Sequence, residues 1–366
     1  MEVEWGEYKL KELFEVKTSK KRFDANKVVV GEVGYPYVVR TSLNNGLKGY
    51  IQEDISYLNE GNTISFGQDT ATVFYQMEPY FTGDKIKILK SRLERFNRSN
   101  AQFFITAISI AFSKFGWGSS SFNTSIIENQ IIALPTKNKE IDFEFIDSFI
   151  AELEAERIAE LSAYLKVSGL DNYELSVEEL KALRDYDSID FEEFEYQEVF
   201  DKIVQGRRLK KDDQIPGDIP FVMSGVTNTG IVNFISNPVA SFPRNSITLD
   251  IFGNAFYRPY AYGAGDDTGV YWNEENEYSK EVMLYITSSM SRSVAGKYDY
   301  GNKLRSSKSK NIKMKLPAVS KGVLDTDYMR IFTNAVMKLV IKDVVQYTNE
   351  RIETTKEVVT SHNTNY

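Results

Sequence analysis

The sequence predicts an α+β chain: a tandem duplication of a mixed α/β domain, each copy followed by a long helix, with the two helices packed as an antiparallel coiled-coil-like spacer. Three observations predict it. Blocks of the first half recur in order in the second half at separations of 182 to 184 residues, and self-similarity at a fixed separation signals duplication. Each copy consists of short β-branched and aromatic runs punctuated by Gly, Asn and Pro. Each then reaches a Leu-Pro pair and a stretch whose apolar residues recur at three- and four-residue steps.

In chain order, Leu10, Leu13 and Phe14 are spaced as an opening helix leading to the cluster Lys20, Lys21 and Arg22. The same pattern reads at Phe200, Ile203 and Val204, with Lys210 and Lys211, at a separation of 190. Pro36, Asn44, Gly46 and Ile51 then match Pro220, Asn228, Gly230 and Ile235, and Asn62-Thr-Ile64 matches Asn245-Ser-Ile247. The block ending Phe74-Tyr75-Gln76 resembles Phe256-Tyr257-Arg258, and Thr82-Gly-Asp84 resembles Ala264-Gly-Asp266. Strands are expected at 37–39, 62–66 and 85–89, and again at 221–223 and 246–252. Leu134-Pro135 and Leu316-Pro317 end the β portions, and Ile141-Asp142 with Leu324-Asp325 opens the helices. Helices over 141–166 and 324–358 give rods of about 40 and 50 Å at 1.5 Å per residue. Between the copies, Ser176 and Glu179 form a capping box for a short helix, and the acidic stretch 185–198 reads as a linker.

Composition narrows the chemistry. The 366 residues are 42% hydrophobic, with 22 Tyr and 23 Phe, enough for packed cores. Lacking cysteine, the chain has no disulfide framework, thiolate metal site or Cys nucleophile, which fits a reducing, cytoplasmic setting. The single histidine, His362, falls in a polar tail expected to be disordered (361–366), so neither half carries an imidazole base or ligand. No apolar run is long enough to span a membrane, and the N-terminus does not read as a signal peptide. The net charge of −8 is segregated: 18 basic against 15 acidic residues over 1–139, 4 against 19 over 140–200, and 22 against 18 over 201–366. Both halves are thus mildly basic, which permits phosphate contact.

The duplicated order of Gly-x-x-Pro-Phe/Tyr-Val, a polar Asn-x-Gly turn, a Phe-Tyr block, Thr/Ala-Gly-Asp, Leu-Pro and a long helix resembles the specificity subunits of type I restriction–modification systems. It is more similar still to the separate specificity subunits of type IIB systems, as is the segment from Tyr164 to Leu175. That resemblance implies two target-recognition domains, 1–138 and 194–320, each reading one half of a bipartite target in double-stranded DNA. Spacer helices at 139–168 and 321–360, with an acidic linker and short helix at 169–193, fix the gap. It also implies modification (methyltransferase) subunits docked on the helices and a fused or separate nuclease. Cofactors are expected to be none in this chain, S-adenosylmethionine lying in the partner subunit.

Against that frame, Arg40, Thr41, Ser42, Asn44 and Asn45, with Ser224, Thr227, Asn228 and Thr229, are candidates for base readout at a repeated turn. Arginine pairs with guanine and asparagine with adenine in the major groove, although Asn-x-Gly also simply makes a turn. Candidates for phosphate anchoring are Lys20, Lys21, Arg22 and Lys114 in the first copy. In the second they are Arg207, Arg208, Lys210, Lys211, Arg292, Lys297, Lys303 and Arg305. Asp84, Asp266 and Asp267 read as turn aspartates rather than metal ligands. Neither a phosphate loop nor the Pro-Pro-aromatic block of an amino-methyltransferase is present, so no catalysis is expected. The rival reading is a histidine-free, carboxylate-dependent enzyme, a nuclease or glycan-acting protein of duplicated β-rich domains.

Overall fold

The computed structural model describes residues 3–113 and 122–363, which divide into two compact units, Met1–Glu160 and Leu161–Tyr366. In the first unit the elements run β1 (Glu4–Lys9), α1 (Leu10–Leu13), β2 (Phe14–Thr18), β3 (Tyr35–Val38), β4 (Leu47–Ile51), β5 (Thr63–Gly67), β6 (Val73–Gln76), β7 (Phe81–Thr82) and β8 (Ile86–Ser91). There follow α2 (Arg98–Phe112), α3 (Thr124–Asn129), β9 (Ile131–Lys137), β10 (Glu140–Ile141) and α4 (Phe143–Val167). They build three sheets, in the orders β1-β9-β10, β2-β8-β5-β6 and β4-β3-β7.

The second unit repeats this plan. It opens with α5 (Val177–Arg184), then β11 (Phe191–Glu195), α6 (Tyr196–Val199), β12 (Lys202–Gln205), β13 (Pro216–Val222), β14 (Ile231–Ile235) and β15 (Ser241–Phe242). Next come β16 (Ser246–Asp250), β17 (Ala255–Arg258), β18 (Tyr262–Ala264), β19 (Thr268–Trp272), α7 (Lys280–Val294), α8 (Ser306–Ser309), β20 (Lys313–Ser320), β21 (Val323–Leu324) and α9 (Thr326–Asn363). Its sheets are β11-β20-β21, β12-β19-β16-β17 and β14-β13-β18-β15. Every sheet of the first unit therefore has a counterpart, down to the parallel pairings of β3 with β7 and β13 with β18.

The packing repeats as well. On α2 the apolar side chains Ala101, Phe104, Ile105, Ile108 and Phe112 fall on one face, capped by Asn97, whose side chain accepts the Ser99 N–H. Phe104 and Phe112 pack edge-on against Phe14, Phe66, Phe96 and Phe122. Each such ring contributes roughly 1.5–3 kcal/mol by leaving water. On α7 the equivalent face is Val282, Met283, Ile286, Met290 and Val294, capped by Ser279. The buried hydroxyls match too: Tyr80 with Thr63 at 3.1 Å, and Tyr262 with Ser246 at 2.9 Å. Asn62 and Asn245, both at positive φ, each accept from a tyrosine, Tyr75 and Tyr257.

Three expectations need correcting. Each copy opens not with a helix but with a strand, a single helical turn and a second strand. Its N-terminus is fixed by Glu12 or Glu198 accepting the N–H of Lys9 or Glu195. That equivalence sets the separation at 186, not 190, so Leu10 corresponds to Tyr196 and Phe14 to Phe200. The Leu-Pro pairs do not break the β portion either, since Pro135 and Pro317 lie within β9 and β20. Their carbonyls accept the N–H groups of Asp142 and Asp325, whose carboxylates in turn accept from Phe145 and Tyr328 and so cap α4 and α9. Finally, the acidic stretch 185–198 is not a free linker, because Phe191–Glu195 pairs in register with Lys313–Pro317.

The two long helices stand two residues later than expected at their starts, at 25 and 38 residues, or about 37 and 57 Å. The short helix forms as read, with Ser176 Oγ accepting the Glu179 N–H at 3.1 Å. It packs on α9, where Lys338 donates to Glu179 at 2.9 Å and the Tyr328 hydroxyl donates to the Ala182 carbonyl. Among the described residues no helix is long and apolar enough to cross a membrane.

Candidate nucleic-acid interface

Both copies deliver their Asn-x-Gly turn in one way. β3 and β13 each carry a bulge at their last residues, and the chain then doubles back. The Val39 N–H donates to Gly46 O at 2.8 Å, and the Met223 N–H to Gly230 O at 2.9 Å. Gly83 and Gly265 donate to Val38 O and Val222 O, fastening the next β segment alongside. Within the turns φ is positive at three successive residues: Asn44, Asn45 and Gly46, and Asn228, Thr229 and Gly230. Asparagine and glycine tolerate that region, whereas a β-branched threonine is strained there. The turn geometry and solvent presentation coexist, since Ser42, Asn44, Asn45, Thr227, Asn228 and Thr229 are all exposed.

Beside each turn lies a groove, formed by the same parts in both copies. In the first it is lined by Arg22, Arg40, Lys48 and Asp84 around Val39 and Gly83. In the second, Arg208, Lys210, Lys211 and Asp266 surround Met223 and Gly265. Val39 corresponds to Met223, Gly83 to Gly265 and Asp84 to Asp266, so sequence-distant cations converge on equivalent places. The two clusters are not equivalent residue by residue, however. The Phe23 N–H donates to Thr82 O and the Arg207 N–H to Ala264 O, which makes Phe23 the counterpart of Arg207. Lys20, Lys21 and Arg22 therefore precede that bridge, while Arg207, Arg208, Lys210 and Lys211 begin at it.

The base-readout candidates differ in how free they are. Arg40 forms an ion pair with Asp69, which also takes Lys85 at 2.8 Å. Thr41 accepts the Leu43 N–H at 3.2 Å. Ser224 is held by two carboxylates, its hydroxyl donating to Asp250 and its N–H to Asp267, both at 3.1 Å. Asp250, 4% exposed, further accepts from Gly225, Phe252 and Asn254. The phosphate candidates separate into two sets. Lys20 donates to the Ser56 carbonyl, Lys21 lies over the Phe23 and Tyr57 rings, and Arg22 pairs with Asp84 at 3.3 Å. Arg207, Arg208, Lys210 and Lys211 are exposed, and among the described residues their side chains make no hydrogen bond or ion pair.

The basic stretch of the second copy does not act as one patch. Arg305 donates to the Asp266 carbonyl, behind the groove, while Lys303 lies over Tyr300. Arg292 and Lys297 instead line a cleft with Tyr186, Glu193, Tyr285, Lys313 and Lys315 between α7 and β20. Lys114 lies outside the described residues. Sequence reasoning missed Lys48, the Asp69–Lys85 pair, Asp250 and the residues that hold the turns from below. The last were in view, as the aligned ends of the Phe-Tyr blocks. Lys87 is largely buried against the Thr18 hydroxyl at 2.7 Å, and burial pushes its ammonium below the ordinary lysine range. Among the described residues no group of three or more Asp, Glu or His side chains is placed to hold a metal ion.

The chain belongs to the family of the type I restriction modification DNA specificity domain, whose pattern matches twice, over residues 2–163 and 188–347. It is 28% identical, over 332 residues, to the Type II restriction enzyme BgcI specificity subunit of Heyndrickxia coagulans. That match covers 89% of this chain and 93% of the relative. Its fold is similar to that of the type I restriction-modification S subunit from M. genitalium, with a TM-score of 0.57 at 13% identity, covering 98% of this chain and 95% of the other.

Proposed function

We propose that the chain is the DNA sequence-specificity subunit of a restriction–modification complex, reading a bipartite target with one half-site per copy. The observation that carries this reading is the pair of equivalent grooves, each flanked by a turn that presents exposed polar side chains and each lined by three cations, Arg22, Arg40 and Lys48 from separate segments in the first copy and the single run Arg208, Lys210 and Lys211 in the second. Polar side chains at base edges specify, and cations on phosphates position. Arg208, Lys210 and Lys211 act as phosphate anchors, and Asn44, Asn45, Thr227, Asn228 and Thr229 as base readers. Arg40 and Ser224, already bound to carboxylates, shape the turn or exchange partners on binding.

The chain performs no chemistry itself. Modification subunits that bind S-adenosylmethionine supply methylation, in the cytoplasm, and the two long helices serve as spacer rods that set the gap between half-sites. Two assays test this. Purified chain alone should neither methylate nor cleave DNA, and should methylate a two-part motif once joined by its modification partner. Inserting four residues within 150–160 adds about 6 Å of rod. That should lengthen the gap by one or two base pairs at roughly 3.4 Å each and leave both half-sites intact. Altered base identity would refute the rods as the ruler.

A further inference from the structure

We infer that Arg258 and Gln76 are positioning residues for sequence readout, each holding the strained turn of its own copy in the shape that presents its side chains to DNA. The inference rests on the DNA-reading function proposed above. Both sit at the last position of equivalent strands, β17 and β6. From there each reaches up to the carbonyl of the middle residue of its turn. Gln76 Nε2 donates to Asn45 O at 3.3 Å, and the Arg258 guanidinium donates to Thr229 O. Each also donates down to an equivalent hydroxyl on the adjacent strand, Ser65 Oγ at 3.0 Å and Thr248 Oγ1 at 3.1 Å. Two unlike side chains thus perform one connection in two copies of the fold.

The connection is stronger where the turn needs it more. The first turn places asparagine at its second positive-φ position, a residue suited to that region. The second places Thr229 there, at φ 51, where a β-branched side chain is disfavoured. Arg258 answers with a second bond, Nη1 to Thr229 Oγ1 at 3.0 Å, and fixes both the backbone and the hydroxyl of that exposed residue. Arg258 itself is 1% exposed and lies near the Phe256 and Tyr262 rings, so it cannot reach a base. Among the described residues no carboxylate pairs with it. A buried guanidinium is costly unless hydrogen bonded, and here two of its four bonds go to the turn that presents the candidate readers, the others going to the Thr248 and Tyr260 hydroxyls.

The test uses the full chain and a randomised duplex DNA library, with bound duplexes sequenced and thermal unfolding measured in parallel. Arg258→Met keeps an unbranched apolar side chain in the buried position and removes the donors. It should lower discrimination in one half of the motif by about tenfold or more, the scale of a lost base contact, leaving the other half and affinity for unrelated DNA unchanged. Gln76→Leu should do the same to the opposite half, and Arg258→Gln, which copies the first turn's solution, should restore part of the lost discrimination. Were Arg258→Met to abolish cooperative unfolding, the Gln76→Leu result would decide. Variants that fold and keep both halves at wild-type discrimination would overturn the positioning role while leaving the function standing. A wild-type chain that enriches no two-part motif would overturn both.

Discussion

In the first copy the link from the strand to the Asn-x-Gly turn carries a cation, and in the second a hydroxyl. Arg40 and Ser224 occupy equivalent positions, yet Arg40 is clamped by Asp69 and Lys85, while Ser224 is clamped by Asp250 and Asp267. The backbone around them is alike in sheet order, bulge and turn conformation. What differs is which partner is buried: Asp250 is nearly sealed and accepts five hydrogen bonds, whereas the Asp69 carboxylate is 26% exposed and sits between two cations. The fold therefore fixes where the Asn-x-Gly turn stands, and each copy fixes the side chains beside it by a separate local network. Separate networks allow each copy to read its own sequence.

That contrast predicts unequal damage. Asp250→Ala strands several buried donors and should destabilise the second unit by about 3 kcal/mol. Asp69→Ala, in a partly solvated ion pair, should cost the first unit about 1 kcal/mol or less. Differential scanning calorimetry of the two variants checks the asymmetry, and equal losses would show that the networks do not differ as described.

The cores differ too. Tyr196 and Tyr328 stand where the first copy has Leu10 and Phe145, and burial pushes both phenols up to about 12. A phenol raised in the folded state contributes stability that is complete below its ordinary value of 10 and is lost as pH rises through the folded value. The second unit should therefore unfold first between pH 10 and 12, with a loss on the order of 2–3 kcal/mol per fully buried phenol. Tyrosinate absorbance followed alongside circular dichroism measures this, and Tyr196→Phe should remove part of the alkaline sensitivity.

A smaller effect separates anchoring from reading. Lys210→Ala with Lys211→Ala should weaken binding to all sequences alike and flatten the salt dependence by roughly 0.9 per lost phosphate contact. The motif itself should be unchanged. Fluorescence anisotropy over a salt series reads the slope, and a changed motif with an unchanged slope would move these lysines from anchoring to readout.

Much of this was legible in the sequence. The repeat, the Asn-x-Gly turns, the strands at 63–67 and 246–250, the Ser176–Glu179 cap and both long helices follow from local spacing, and local spacing is what a sequence displays. The opening of each copy was not legible. Leu10 and Leu13 do lie in one helical turn, but the chain on either side is strand because β1 pairs with β9 and Phe14, at the start of β2, pairs with Ser91 of β8, partners far away in the sequence. Arg40 read as a free reader because Asp69 reaches it only once the β5–β6 hairpin has folded. Arg258 and Gln76 appeared as unlike ends of a matching block. Their common task is visible only where a strand passes beneath a turn.

Independence of the two copies is tested most directly by methylome sequencing of a host carrying the system with Arg40, Thr41 and Asn44 replaced by Ala. The expected result is a motif relaxed in one half by tenfold to a hundredfold, at about 1–3 kcal/mol per lost bidentate contact. The other half and the gap should be those of the unaltered system. A variant that changes both halves together, or changes the gap, would contradict it.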